Sequence, residues 1–350
     1  MASISGIVIT RGLESLQDPE PFARLGIATF AAWILWTGTG GPKEAYAQSL
    51  PTGRLFLLVL GMEHLTNIPD MKAWSRALLK QAKTIGFVPT MGYLHEGHLA
   101  LMRRARSEND RVVVSIFVNP TQFGPSEDLG RYPRDPEGDA KKCADVGVDA
   151  LFLPEASQIY PPGFQTYVDV EEVSRPLCGA SRPGHFRGVA TVVLKLFNVV
   201  SPTRAYFGEK DRQQLRVIIT MARDLDLDVE IVPCETVREA DGLAMSSRNA
   251  YLSPDQRRQA VCLHQALLEA GQLFQNGERS AEQYLRAMSQ RIGQEPDAGV
   301  DYISLVHPET LRDLTEVDDA ALAALAVKIG NTRLIDNMLF NHRSKEFQST

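Results

Sequence analysis

Two histidines three residues apart, His95 and His98, lie in the segment Pro89-Thr90-Met91-Gly92-Tyr93-Leu94-His95-Glu96-Gly97-His98. An apolar run at 85–88 precedes it, in the form of a buried parallel strand, and residues 99–106 follow with the pattern of a helix. A strand that hands over to a helix N-terminus presents unpaired N–H groups and a partial positive charge, both of which attract phosphate. Imidazoles placed there donate to a polyphosphate and follow charge onto a leaving group. Gly97 lets a nucleotide approach the backbone without meeting a Cβ. The chemistry implied is ATP binding with nucleotidyl transfer. The same spacing suits half of a metal site, but no third or fourth Cys or His lies nearby in sequence, which argues against zinc.

Three further segments carry polar groups where the pattern predicts a loop or a helix start. Gln122 lies in Asn119-Pro120-Thr121-Gln122-Phe123-Gly124, after an apolar strand at 111–118. Its neutral amide suits a substrate bearing both hydroxyl and carboxylate groups. Gly208-Glu209-Lys210-Asp211 follows a short strand at 205–207 and opens a helix, with Gln214 one turn beyond Lys210 on the same face. Met245-Ser246-Ser247-Arg248-Asn249 supplies two hydroxyls and a guanidinium that can clamp phosphate oxygens. Taken singly, the plain readings are a capping or loop glutamine, a solvated charged turn and an ordinary linker; the weight rests on the combination.

The elements that must position these groups alternate between strands and helices from Met62 onward. That is the pattern of an α/β protein with a Rossmann-like, doubly wound parallel sheet, whose ligands collect at the C-terminal strand ends. Helices are expected at 68–83, 136–146 and 189–200, and further strands at 150–153 and 229–233. Beyond about Arg238 the composition changes: one long amphipathic helix is expected at 254–274, then strands at 302–306 and 321–329. The expected organisation is an extension at 1–61, an ATP- and substrate-binding domain at 62–237, a smaller C-terminal α+β domain at 238–340 carrying the Met-Ser-Ser-Arg loop, and a tail at 341–350.

The chain has 350 residues, 44% hydrophobic and 23% charged, with a net charge of −6. That balance is ordinary for a soluble protein and argues against a nucleic-acid partner, so anionic substrates must be met by locally placed Lys, Arg and helix termini. Four scattered cysteines, with no Cys-x-x-Cys pair, fit reduced thiols and a cytoplasmic location. Residues 25–36 are apolar and are followed by Ala45-Tyr46-Ala47-Gln48, the form of a signal-peptide core with a cleavage site. The run is short for a membrane span, which needs about 20 apolar residues. Export conflicts with ATP chemistry, so Met62 is the expected natural start, with a genuine N-terminal extension as the alternative, and no membrane association is expected.

From Met62 to Asn337 the sequence resembles the pantoate–β-alanine ligase family. The stretches that carry the resemblance are 89–98, 117–123, Arg182-Pro183-Gly184-His185-Phe186-Arg187-Gly188-Val189, 207–215, 241–249 and Arg333-Leu334-Ile335-Asp336-Asn337. The resemblance implies adenylation of the pantoate carboxylate by ATP, release of pyrophosphate, and attack of β-alanine on the pantoyl adenylate. It implies that Met91, Gly92, Tyr93, Leu94, His95, Glu96, Gly97 and His98 line ATP, with His98 the proton donor and His95 its phosphate-side partner. Gly208, Glu209, Lys210, Asp211, Val237, Met245, Ser246, Ser247 and Arg248 would also bind ATP, with Lys210 and Arg248 on the phosphates. Gln122 and Gln214 would hold pantoate, Gln122 also touching β-alanine. Mg²⁺ would bridge phosphate oxygens, with Asp139 as its expected protein ligand, and the family implies a homodimer. Arg212 and Thr121 depart from common family residues without removing a catalytic group. The rival readings are another adenylyl transfer on the same scaffold, and an ATP-binding protein that has lost catalysis.

Overall fold

The computed structural model describes residues 61–125 and 127–341. The apolar run at 25–36, the Ala-Tyr-Ala-Gln stretch, residues 1–60 as a whole and the tail from 342 lie outside the described residues. The chain divides into two units between His64 and Leu65, and the second, from Leu65, holds all the candidate site residues.

Six short strands make one sheet: β1 (Glu63–Leu65), β2 (Ile85–Thr90), β3 (Arg111–Ile116), β4 (Ala150–Phe152), β5 (Arg204–Gly208) and β6 (Glu230–Cys234). Their order is β1-β4-β3-β2-β5-β6, and the pairings of β2 with β3, β3 with β4, β2 with β5 and β5 with β6 are all parallel. From β2 the chain first winds one way, to β3 and β4, and later the other way, to β5 and β6. The winding therefore reverses between β2 and β5, which is where doubly wound sheets open a ligand crevice. The His95/His98 turn leaves β2 and the Lys210 turn leaves β5, so both stand at that reversal.

Strand β3 reads Arg-Val-Val-Val-Ser-Ile because helices cover both faces of a parallel sheet, leaving no solvated side to alternate with. The connecting helices are α1 (Ile68–Leu79), α2 (Glu96–Glu108), α3 (Pro136–Val146), α4 (His185–Val200) and α5 (Arg212–Asp224). Helix α4 is rich in β-branched Val and Thr, a weak helix sequence, yet eleven of its residues are buried against Phe87, Phe207 and their neighbours. At about 1.5–3 kcal/mol per large apolar side chain, that burial outweighs the propensity deficit. It begins four residues before the expected position, after Gly184 at φ 82° turns the chain into its first turn.

The expected helix at 254–274 is two helices, Pro254–Gln259 and α6 (Cys262–Gln275). Ser253 and Gln256 cap the first reciprocally, and the chain then tightens, with Leu263 N–H bonding to the Ala260 carbonyl. This turn brings Leu263, Ala266, Leu267 and Ala270 of α6 into a second core. Helix α7 (Ala281–Ile292) was not expected. The second sheet is antiparallel, β7 (Ala298–Val306), β8 (Ala320–Ile329) and the unanticipated β9 (Thr332–Asn341), in that order. Central β8 points Leu322 and Ala324 into the first core, and Ala321, Ala323, Leu325 and Val327 into the second. All four cysteines are free and buried. Among the described residues, no helix is long and apolar enough to cross a membrane.

Candidate active site

The turn after β2 is built on a left-handed pair, Gly92 at φ 84° and Tyr93 at φ 52°. A side chain at Gly92 would meet Ile116 Cγ2 at 2.8 Å, so glycine is required there. Two carboxylate oxygens hold the turn: Asp139 Oδ2 accepts from Tyr93 N–H and Oδ1 from Leu94 N–H, each at 2.7 Å. Lys142 Nζ donates to the Leu94 carbonyl (2.8 Å) and Ser247 Oγ to the Tyr93 carbonyl (3.2 Å). Asp139 is 1% exposed, on the first turn of α3. Both its oxygens accept from backbone N–H groups, so Asp139 brackets the turn. Among the described residues no three His, Cys, Asp or Glu side chains are grouped to hold a metal ion.

His95 is the extended N-cap residue of α2, and its backbone N–H donates to His98 Nδ1 at 3.3 Å. That bond leaves the proton of a neutral His98 on Nε2, where it is available as a donor. The two rings lie 4.1 Å apart. Burial, followed by the positive charge of Lys210, depresses His95 to about 4; burial, His95 and Lys210 push His98 well below its ordinary value. Both are neutral at pH 7 in the ligand-free protein. A Cβ on Gly97 would meet the His95 ring at 3.0 Å. The glycine therefore makes room first for His95, which refines the expected role of admitting a nucleotide.

The other segments converge on the same crevice. Gln122 ends the short helical turn Pro120–Gln122; its Nε2 donates to Met91 Sδ (3.1 Å), and its Oε1 accepts from Asn119 Nδ2 (3.1 Å). The turn of Lys210 is tied down from β9, where Asn337 Nδ2 donates to the Glu209 (3.0 Å) and Lys210 (2.8 Å) carbonyls. Next to it, buried Asp336 receives both guanidinium nitrogens of Arg238 (2.7 and 3.0 Å). The Arg333–Asn337 stretch is thus a brace for the site. Arg248 pairs with both oxygens of Asp128 (3.0 and 2.9 Å) and lies over the Tyr132 ring. No sequence pattern marked Asp128 or Tyr132, because their partner is more than a hundred residues away: 120 in the case of Asp128.

A cavity of about 220 Å³ is lined by Met91, His95, Gly97, His98, Gln122, Gly208, Lys210, Asp211, Gln214, Val237, Met245, Ser246, Ser247 and Arg248. Its lining combines the histidines, Lys210 and Arg248 with apolar Phe117, Val189, Val192 and Val193. Five of the expected ATP residues do not line it. Gly92, Tyr93 and Leu94 shape the turn behind it, Glu96 pairs with Arg103, and Glu209 pairs with Arg212. A larger cavity of about 360 Å³ adjoins it, sharing Lys210, Asp211, Ser246 and Arg248.

A family profile described as pantoate-beta-alanine ligase matches residues 63–339. The pantothenate synthetase of Thermotoga petrophila is 55% identical over 278 residues, 79% of this chain and 99% of that protein. The solved pantothenate synthetase of Thermus thermophilus superposes with a TM-score of 0.76 at 49% identity, covering 79% of this chain and 99% of that one. A Francisella tularensis pantoate-beta-alanine ligase, solved in complex with beta-gamma ATP and beta-alanine, gives 0.68 at 37% identity, covering 79% and 97%. The match runs through both sheets and every segment that lines the cavity. The chain belongs to the pantoate–β-alanine ligase family.

Proposed function

We propose that the chain joins pantoate to β-alanine at the expense of ATP through a pantoyl adenylate, with the 220 Å³ cavity as the reaction site. The observation that carries the reading is that two histidines, a lysine, an arginine and two glutamine amides line one cavity at the winding reversal. The apolar lining suits the two methyl groups of pantoate, and the glutamine amides suit its hydroxyls and carboxylate. In the first step a pantoate carboxylate oxygen bonds to the α-phosphorus, and the bond to the bridging oxygen of pyrophosphate breaks. Negative charge grows on the phosphoryl oxygens and the departing pyrophosphate. His98 Nε2–H, Lys210 and Arg248 meet that charge, which positioning and electrostatics must stabilise with little covalent help. In the second step the β-alanine amine bonds to the acyl carbon, AMP leaves with the electrons of the C–O bond, and the amine gives up a proton.

Mg²⁺ would enter this reading with ATP, where it would neutralise charge on the phosphates. A homodimer and a cytoplasmic location follow from the family resemblance and belong to the same proposal. Residues 62–237 and 238–340 are proposed as the nucleotide-binding and C-terminal parts.

Isotope transfer tests the intermediate. With pantoate labelled by ¹⁸O in its carboxylate, one label should appear in AMP for each pantothenate formed. Label absent from AMP would exclude the adenylate. Formation of AMP without pantoate or without β-alanine would overturn the ligation itself.

A further inference from the structure

The stretch Arg182-Pro183-Gly184-His185-Phe186-Arg187-Gly188 leads into and opens α4. It closes on the back of the turn that carries Gln122. His185 Nδ1 lies 2.8 Å from the Gln122 carbonyl oxygen, and Arg182 Nη2 donates to the same oxygen at 3.2 Å. Arg182 Nη1 is 3.0 Å from His185 Nε2. An arginine only donates, so Nε2 accepts and the proton sits on Nδ1, which donates to Gln122. Glu127 fixes the arginine from its far side through two bonds, to Nε at 2.7 Å and to Nη2 at 2.6 Å.

The third grip is a glycine. A Cβ on Gly188 would lie 2.3 Å from the Thr121 carbonyl oxygen, so only glycine lets α4 approach this turn. The Gly188 carbonyl accepts from Asn119 Nδ2, and that same amide nitrogen donates to Gln122 Oε1. Burial and the adjacent Arg182 depress His185 to about 4, which keeps its ring neutral and the donor pattern intact.

We infer that Arg182, His185 and Gly188 form a positioning clamp that fixes the backbone of Gln122, and through it the amide that recognises pantoate. The inference rests on the reading of Gln122 as a pantoate contact. None of the three lines the 220 Å³ cavity; Arg182 and His185 line the adjoining 360 Å³ cavity, and Gly188 lines neither. Their hydrogen bonds reach the reaction cavity at Gln122, so the clamp bears on pantoate rather than on ATP.

Kinetics of the full chain test this with His185→Ala, His185→Asn and Gln122→Ala, and with His185→Ala added to Gln122→Ala. Asn places its Nδ2 where Nδ1 stood, so it retains the donor to Gln122. His185→Ala should raise the KM for pantoate roughly five- to tenfold, the worth of one lost hydrogen bond, and leave the KM for ATP within about twofold. His185→Asn should recover most of the loss. In the Gln122→Ala background His185→Ala should add nothing further, because the two changes act on one contact. Additive effects, equal rises in both KM values, or a rise confined to β-alanine would overturn the clamp; the last would make Arg182 and His185 direct contacts from the adjoining cavity. An unchanged pantoate KM in Gln122→Ala alone would instead overturn the reading of Gln122, and the clamp with it.

Discussion

Replacing Asp139 by Asn separates two roles that one carboxylate could have near a nucleotide. Its oxygens each accept a backbone N–H at 2.7 Å, from Tyr93 and Leu94, in a side chain that is 1% exposed. Hydrogen bonds to a charged acceptor contribute about 1.5–3 kcal/mol each, so the gross loss is about 3–6 kcal/mol. Burial raises the pKa of this carboxyl, so its desolvation already offsets part of that gain. The amide keeps one acceptor but turns an NH₂ toward the other N–H, which leaves two donors facing each other. A net cost of about 2–3 kcal/mol follows. The strained Tyr93, at φ 52°, is then free to relax, and the His95/His98 alignment goes with it. The expected result is a fall in kcat/KM for ATP of about 30- to 150-fold, since each 1.36 kcal/mol is tenfold. Pyrophosphate release over a range of ATP, repeated at several Mg²⁺ concentrations, measures it. Activity within about threefold of the parent would refute the bracket. Recovery by excess Mg²⁺ would refute it differently, by making Asp139 a metal ligand.

His98→Ala and Lys210→Ala should each lower turnover by roughly two orders of magnitude or more, with unchanged circular dichroism; near-normal pyrophosphate release in either would remove its role. Gly188→Ala sets a Cβ against the Thr121 carbonyl oxygen, so the urea midpoint should drop by the equivalent of about 1–3 kcal/mol, and an unchanged midpoint would show the helix can retreat. His95 and His185 are both held near 4, below the 6.5 of an unfolded histidine, so between those values the unfolded chain binds more protons. Stability is therefore fully present above about pH 6.5 and lost as pH falls toward 4; urea midpoints at pH 5 and 7 check the sign, and a flat profile would contradict it. ATP brings negative charge to His95 and His98 and should raise both, so titration calorimetry in buffers of different ionisation enthalpy should show proton uptake that grows from pH 7 to 5.5.

What could be read from the sequence was whatever is local. The histidine turn and Gly208–Asp211 each announce themselves by strand, glycine and helix start within a dozen residues, Met245–Arg248 by its two hydroxyls and guanidinium, and all three line one cavity. Periodicity sees the helical spacing of 254–274 but not a tight turn at Ala260, because both halves keep a helical backbone. Strand β9 mixes charged and apolar residues and resembles a strand only once paired with β8. The long-range partners were illegible for the same reason. Asp139 binds 45 residues back and Asp128 pairs 120 residues ahead, and nothing in the neighbourhood of either names its partner. Asp139 lies close enough to a nucleotide turn to suggest a metal; only its geometry shows both oxygens already used.

Strand β8 serves as a party wall. Because its alternate side chains belong to different cores, neither core is complete without the same ten residues, Ala320–Ile329. Melting one side strips a face from the other, so differential scanning calorimetry should record one endotherm with equal van't Hoff and calorimetric enthalpies for the residues from Leu65 onward. Truncation before β8 would then not yield a smaller working nucleotide-binding half; it would leave Phe186, Val306 and their neighbours facing water. Evolutionary and engineered cuts that respect only the parallel sheet are expected to aggregate.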